Sequence, residues 1–559
     1  MTYAGVIAYP DEIADSYRAA GAWSDRSLPT AFRATVAQHR DRLALITSLG
    51  SLTYGELDER SDAVAAGLLQ AGLEPGARVI LQLTNSKTAV VAWYGLLKAG
   101  LIPVCTLAIH RRHEISEIAR QTGAVAHLVQ ADLPKFDLVA FAAEIRSLVP
   151  SVRTLLTVGG SADGPGLRIE DLASRPVSVE QRASLVAAAT ALDPCAPAVY
   201  QLSGGTTGTP KVIPRLHAEY WYNATATARW WGHDHTSVLA FGLPLVHNAA
   251  LSNGLHAAHS AGAALLLATP AADALLPLMA EHRATWVMSP PGLAREYLDH
   301  PGFDAAVSRL RTWVLTAARV PRSVFDGLER RGVHVTQAFG MSEGLFLFTP
   351  SGAPADLRAT TVGAPISPLD EVRVLRPGTD EEVARGETGE LAARGPYTIR
   401  GYLDAQDRNR ETFTADGFYR SGDLVRAHEH DGVVLYSIEG RVKDLIDRGG
   451  EKINAEEVET LIAQHEAVRE AALVGMPDAR LGERGCVFVV PQDPARPPAL
   501  TDVRAHLERL GMAKYKWPER VEIVESLPRT QIGKVAKVRL REDIAKKIAN
   551  ETGSAGAAH

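Results

Sequence analysis

Cysteine is scarce in this 559-residue chain: Cys105, Cys195 and Cys486 are all there is, too few for a disulfide framework and too widely spaced for a zinc motif. Long apolar runs are missing too. The most membrane-like window, 90–109, is broken by Lys98, Gly100 and Pro103 and reads as a buried helix, a turn and a strand. The amino terminus has no basic leader, and Asp11 and Glu12 precede any long apolar core, which argues against a signal peptide. Nor is there a basic excess. A formal net charge of −6 without an arginine- or lysine-rich stripe excludes the electrostatics of non-specific nucleic-acid binding. Together these absences predict a cytoplasmic protein with neither a membrane nor a nucleic-acid partner.

The chain is longer than one hydrophobic core usually serves, so two or more domains are expected. Through the first half helical and strand patterns alternate. Leu57, Val64 and Leu68 share one helical face, and 77–83 reads as the buried strand that follows. That alternation predicts an α/β fold, with a large N-terminal domain of parallel-sheet αβ subdomains over 1–442. A Gly/Ser/Pro-rich stretch at 159–182 reads as a surface connection. Turn chemistry near residue 440 precedes a compact αβ pattern, in which Asn454 and Glu457 form a capping-box-like helix start ahead of Val458, Leu461 and Ile462. A small C-terminal α+β domain is therefore expected over 443–550, with 551–559 as a disordered tail.

The most informative segment is Leu202-Ser203-Gly204-Gly205-Thr206-Thr207-Gly208-Thr209-Pro210-Lys211, where three glycines and four hydroxyl residues end in a lysine. Glycines let backbone N–H groups turn toward an anion, hydroxyls donate further hydrogen bonds, and lysine adds a compact positive charge. A Walker A loop would continue into Ser or Thr and a helix. Here Pro210 precedes Lys211 and the β-type Val212-Ile213-Pro214 follows, so this is a different polyphosphate loop.

The loop resembles the phosphate-binding signature of the acyl-adenylate-forming superfamily, and four further motifs stand in that family's order. Phe339-Gly340-Met341-Ser342-Glu343-Gly344 resembles the motif whose carboxylate reaches Mg²⁺, Tyr419-Arg420-Ser421-Gly422-Asp423 the one whose aspartate accepts both ribose hydroxyls, Gly440-Arg441-Val442-Lys443-Asp444 the hinge, and Pro528-Arg529-Thr530-Gln531-Ile532-Gly533-Lys534 the C-terminal motif with its active-site lysine. The resemblance implies ATP and Mg²⁺ as cofactors. It also implies that Ser203, Gly204, Gly205, Thr206, Thr207, Gly208 and Lys211 hold the phosphates. Asp423 and Arg441 would serve the nucleoside, Glu343 the metal, Lys534 the reacting carboxylate and α-phosphate, and Lys443 the pivot of a mobile small domain. The chemistry fits. A carboxylic acid is already ionised at neutral pH and needs no general base; the reaction needs positive charge on the phosphates as they pass through the transition state.

Arg394–Tyr402, Arg448–Lys452 and Leu481–Arg484 narrow the resemblance to the aryl-acid AMP ligases, such as those for 2,3-dihydroxybenzoate and salicylate. In the run 247–253, amino-acid-activating relatives use an aspartate against the substrate ammonium; aryl-acid enzymes carry asparagine, as Asn248 does here. His247, Asn248, Ala249, Asn253, Ala338 and Gly340 are thus the candidate acid-binding residues. Three depart from the family pattern: Ala249 stands where those relatives have tyrosine, Asn253 where they have serine, and Ala338 where a larger aliphatic is usual. The lost volume predicts a bulky or bicyclic aromatic acid, with Asn253 as a partner for a ring heteroatom. Thr316-Ala317-Ala318-Arg319 replaces the glycine pair usual beside adenine. No phosphopantetheine attachment pattern follows Lys534, so the expected acceptor is a separate aryl carrier protein, with coenzyme A as the alternative. A noncatalytic nucleotide-binding protein remains a reading of a different class.

Overall fold

The computed structural model describes residues 3–203, 211–448, 451–478, 480–529 and 534–556. The chain divides into two units: Met1–Glu371 with Ala393–Tyr419, and Val372–Ala392 with Arg420–His559.

The first unit is built on two large, mostly parallel sheets. One runs, in spatial order, 167–168, 154–158, 126–130, 78–83, 102–107, 197–202 and 212–216, parallel up to its last pair, where Pro197–Leu202 turns back antiparallel into Val212–Leu216. The nine-stranded sheet is parallel through its centre, from Leu43–Thr47 to Val335–Met341, and antiparallel at both ends. Crossover helices cover the central strands, which explains their near-continuous apolar sequence; Val79, Ile80 and Leu81 are all buried. The predicted helix over Leu57–Leu69 spans Tyr54–Gln70, started by a reciprocal cap between Thr53 and Glu56. Its inner face carries charge as well as leucine: buried Lys98, from helix Lys87–Lys98, reaches Asp58 (2.6 Å) and Asp62 (2.8 Å), and Arg33 and Arg182 also pair with these carboxylates. The interrupted apolar window is this helix, a turn and strand Ile102–Leu107, and among the described residues no helix is long and apolar enough to cross a membrane.

The second unit has a four-stranded sheet and a five-stranded one. The first includes the long antiparallel hairpin Tyr419–His430/Val433–Arg441; the second is antiparallel except where Arg520–Ile523 joins it in parallel. Helices Ala455–Ile462, Leu500–Arg509 and Lys537–Gly556 accompany them.

Several expectations need correction. The small unit does not begin at residue 443: its sheet takes in 372–392 and the hairpin from Arg420 onward, because Asp423 pairs with Arg441 in strand register and cannot be parted from it. The expected tail at 551–559 is helical through Gly556, and Glu551 is pinned by paired contacts to Arg520 at 2.8 Å; 557–559 lie outside the described residues. Asn454 does cap its helix, but through Glu456 N (3.1 Å), while Glu457 turns away to Lys516. The stretch 159–182 carries a short strand, Leu167–Arg168, and helix Ile169–Ala173.

One buried carboxyl has no cation beside it. Asp370 is half-buried as a residue, yet its Oδ1 is enclosed without a hydrogen-bond partner, and Oδ2 accepts from the Tyr397 hydroxyl. Burial pushes this carboxyl up to about 8. A carboxyl raised in the folded state leaves the unfolded chain to ionise first. Stability is then fully present below about pH 4 and drains away as pH climbs toward 8. Each unit is worth about 1.4 kcal/mol, so even half the shift amounts to about 3 kcal/mol. Asp370→Asn should therefore stabilise the protein at pH 8 and flatten its pH dependence between pH 5 and 8 in urea unfolding. Parallel pH profiles for variant and wild type would show that the group titrates normally.

Candidate functional site

The phosphate-loop residues Gly204, Gly205, Thr206, Thr207 and Gly208 lie outside the described residues, but the base of the loop is clear. Ser203 N donates to Lys211 O (3.0 Å) and Lys211 N donates to Ser203 Oγ (3.1 Å), closing a neck where strand 197–202 ends and strand 212–216 begins. Lys211 Nζ then lies over the Tyr402 ring, 4.5 Å from its centroid and 3.4 Å from its hydroxyl. The same hydroxyl donates to Glu343 Oε1 at 2.7 Å. The sequence-assigned phosphate lysine and metal carboxylate thus meet on one tyrosine. Among the described residues no cluster of three or more histidine, cysteine or acidic side chains forms a metal cage. Among the described residues Glu343 Oε2 has no hydrogen-bond partner, so a divalent ion held there would take its other ligands from phosphate and water, as Mg²⁺ does with nucleotides.

The backbone just before Glu343 is held by the buried Arg215. This guanidinium pairs with Glu219 through two 2.8 Å bonds, and it donates to Ser342 O (2.9 Å) and Tyr397 O (3.1 Å). Glycine is required on either side of the turn. A Cβ on Gly344, at φ +148, would sit 2.4 Å from Thr398 Cα, and one on Gly340 would meet the Phe346 ring at 2.6 Å.

Helix His217–Trp231 leaves strand 212–216 directly and carries Tyr220, whose hydroxyl donates to Asn248 Oδ1 (2.9 Å). The amide NH₂ of Asn248 has no hydrogen-bond partner among the described residues. Ala249 N donates to His247 Nδ1 (3.3 Å), and a π-helical turn follows over Ala250–Leu255, a distortion common at functional sites. Asn253 Nδ2 donates to Ser252 Oγ (3.3 Å), leaving Oδ1 buried and unpaired. His256, which sequence reasoning missed, is the counterpart. Trp93 Nε1–H donates to His256 Nε2 (2.9 Å), and burial holds the imidazole neutral with its pKa down to about 3, so the ring proton sits on Nδ1, buried without a partner. No sequence pattern shows that a tryptophan 163 residues away fixes this tautomer. Ala338 is buried in the neighbouring core, and its carbonyl accepts from Thr316 Oγ1 (2.9 Å). Ala317 adopts φ +70, a left-handed conformation that explains why glycine suits this segment in the family pattern.

In the second unit the structure gathers Asp423, Arg441, Lys443 and Lys534. Arg441 Nε meets the buried Asp423 carboxylate at 2.7 Å. Lys534 is exposed as a residue, yet enough protein surrounds its ammonium that desolvation, then Arg441 and Lys443, push its pKa below the ordinary lysine range, with Asp423 opposing. Lys443 lies in a 3₁₀ turn, Val442–Asp444, inside this unit, where its carbonyl accepts from Arg541 (3.2 Å).

Comparison with known proteins identifies the family of the chain. The family model described as AMP-binding enzyme matches residues 32–403, and that of the AMP-binding enzyme C-terminal domain matches 457–534. The 2,3-dihydroxybenzoate-AMP ligase of Bacillus subtilis (strain 168) is 38% identical over 560 residues, covering 97% of this chain and 98% of that protein. The 2-hydroxy-7-methoxy-5-methyl-1-naphthoate–CoA ligase of Streptomyces carzinostaticus is 36% identical over 550 residues, covering 96% and 97%. Among solved structures, apo Mycobacterium smegmatis MbtA superposes with a TM-score of 0.72 at 36% identity, over 96% of this chain and 98% of that one.

Removing Arg215 would leave Glu219 buried and uncompensated, a change that typically costs about 3–5 kcal/mol. Arg215→Met should lower unfolding stability by about that much in urea titration, and Arg215→Met/Glu219→Gln should recover part of it. Equal losses in the single and double variants would show that the backbone ties to Ser342 and Tyr397, rather than the charge, carry the effect.

Proposed function

The chain belongs to the AMP-binding enzyme family, as an ATP-using adenylate-forming ligase of the aryl-acid type, and from this premise we propose that it activates a bulky or bicyclic aromatic carboxylic acid and hands it to a phosphopantetheine thiol. In the first half-reaction a carboxylate oxygen attacks the α-phosphorus of ATP and the bond to pyrophosphate breaks, giving aryl-AMP. In the second, the thiol sulfur attacks the acyl carbon and AMP leaves, giving the thioester. A separate aryl carrier protein is the preferred thiol donor; coenzyme A offers the same pantetheine chemistry, and the naphthoate relative is named as a CoA ligase.

The observation that carries the reading is Asn248. Its carbonyl is taken by Tyr220, so a neutral NH₂ is what it offers, suited to an oxygen ortho to the carboxylate. A neutral amide gives an α-ammonium no ion pair, which disfavours free amino acids. Ala249 and Ala338 supply room for a larger ring system, and the naphthoate named for the one relative has two fused rings. We assign the unpaired Asn253 Oδ1 and His256 Nδ1–H to polar atoms on that ring system. In the nucleotide site, Glu343 would hold Mg²⁺, which when bound neutralises phosphate charge. Lys211 and the loop serve the phosphates, Asp423 and Arg441 the nucleoside, and Lys534 the carboxylate and α-phosphate.

Acid-dependent ATP–pyrophosphate exchange with a panel of aromatic acids tests this proposal. Quinoline- and quinoxaline-type carboxylates and substituted hydroxyanthranilates should outcompete salicylate, and Ala249→Tyr should shift the preference back toward salicylate. A tight preference for salicylate in the wild type would show that neighbouring side chains refill the space. Lys534→Ala should lower exchange by at least about a hundredfold with the fold intact, since one preorganised donor to developing charge is worth about 3 kcal/mol. Near-normal exchange by that variant would remove Lys534 from the mechanism.

A further inference from the structure

We infer that Tyr402 is a positioning residue for the metal carboxylate: its phenol fixes one oxygen of Glu343 so that the other is presented to the cation. The inference rests on the assignment of Glu343 to a divalent ion. A glutamate side chain rotates freely about its last bond, and a carboxylate that must offer one oxygen to a metal gains from having the other held. Tyr402 does this from a fixed base. Buried Asn409 clamps its backbone from both sides, accepting from Tyr402 N (2.8 Å) and donating to Tyr402 O (3.0 Å), while the ring packs against Ile213, Ile399 and Tyr419. Glu343 is anchored equally well, with its carbonyl accepting from Ile399 N at 2.8 Å.

The direction of the hydrogen bonds follows from counting protons. A phenol has one proton to give, and an ionised carboxylate can only accept. That single proton goes to Glu343 Oε1 at 2.7 Å. The Tyr419 hydroxyl, 3.0 Å away, and the Lys211 ammonium, 3.4 Å away, must then donate to the Tyr402 oxygen. Two donors pulling on that oxygen polarise its O–H bond and strengthen its hold on the carboxylate. Tyr402 therefore couples the phosphate-loop lysine to the metal carboxylate without contact to the reacting atoms.

The test is Tyr402→Phe, which keeps the ring and loses the hydrogen bond. A hydrogen bond to a charged group is typically worth enough for about a tenfold change in affinity. The Mg²⁺ concentration that half-saturates acid-dependent pyrophosphate exchange should rise about tenfold, and binding of Mn²⁺ in the presence of a non-hydrolysable ATP analogue, followed by electron paramagnetic resonance, should weaken in step. ATP binding measured in EDTA should not move. In a Glu343→Gln background the Tyr402→Phe change should add nothing, because the phenol acts through the carboxylate. Tyr419→Phe, which removes one donor to the Tyr402 oxygen, should shift the Mg²⁺ requirement the same way by less, and it decides the matter if Tyr402→Phe does not fold. An unchanged Mg²⁺ requirement, a rate loss uniform across Mg²⁺ concentrations, or full additivity with Glu343→Gln would each overturn the inference. If Glu343→Gln itself left Mg²⁺ and Mn²⁺ behaviour untouched, the metal assignment would fall and Tyr402's role with it, even while aryl-acid exchange continued.

Discussion

The buried ion pair between Arg215 and Glu219 is the constraint from which the first unit's chemistry is arranged. Arg215 lies near the end of strand 212–216, and Glu219 in the first turn of the helix that carries Tyr220. From that joint the guanidinium reaches the carbonyls of Ser342, just before Glu343, and of Tyr397, in the segment that leads to Tyr402. A guanidinium suits the task because its donors point in fixed, coplanar directions. One side chain thereby ties strand 212–216 and helix His217–Trp231 to the turn that carries Glu343 and to the segment around Tyr397.

Around it, the same device recurs on a smaller scale. Tyr220 takes the Asn248 carbonyl, Trp93 takes one His256 nitrogen, and Tyr402 takes one Glu343 oxygen. Each of these polar groups could face a ligand in more than one way. Each has one of its atoms occupied by a buried partner that has little choice of its own, and what is left over is unambiguous: an amide donor, an imidazole donor, a carboxylate oxygen. Selectivity of this kind resides in the partners as much as in the residues that would touch substrate.

Much of this architecture was legible beforehand, and the limits have physical reasons. Alternating apolar periods pointed to the α/β fold, and the Gly/Thr-rich loop between two β-type runs to the hairpin whose neck Ser203 and Lys211 close. Motifs near in sequence could be matched one at a time. What could not be read was which side chains meet. Tyr402 and His256 look like ordinary core aromatics until Glu343 and Trp93, far away in sequence, are placed beside them. Asn454 illustrates a smaller ambiguity, since its side chain could reach either of two successive amides and local spacing does not choose. The carboxyl-terminal stretch misled because small residues resemble a linker, although a helix already anchored by Leu540 and Ile544 can propagate through them.

The path of the chain has an evolutionary consequence. It crosses between the two units at 371/372, 392/393 and 419/420, so the smaller unit is assembled from two stretches of sequence separated by a piece of the larger. Such a unit does not travel as a single cassette. One recombination crossover near residue 442 would give the recipient a carboxyl-terminal piece bearing Lys443 and Lys534 but not the hairpin with Asp423 and Arg441, nor the strand residues from 372–392. Only a segment carrying both stretches together would keep Lys534, Arg441 and Asp423 within one unit.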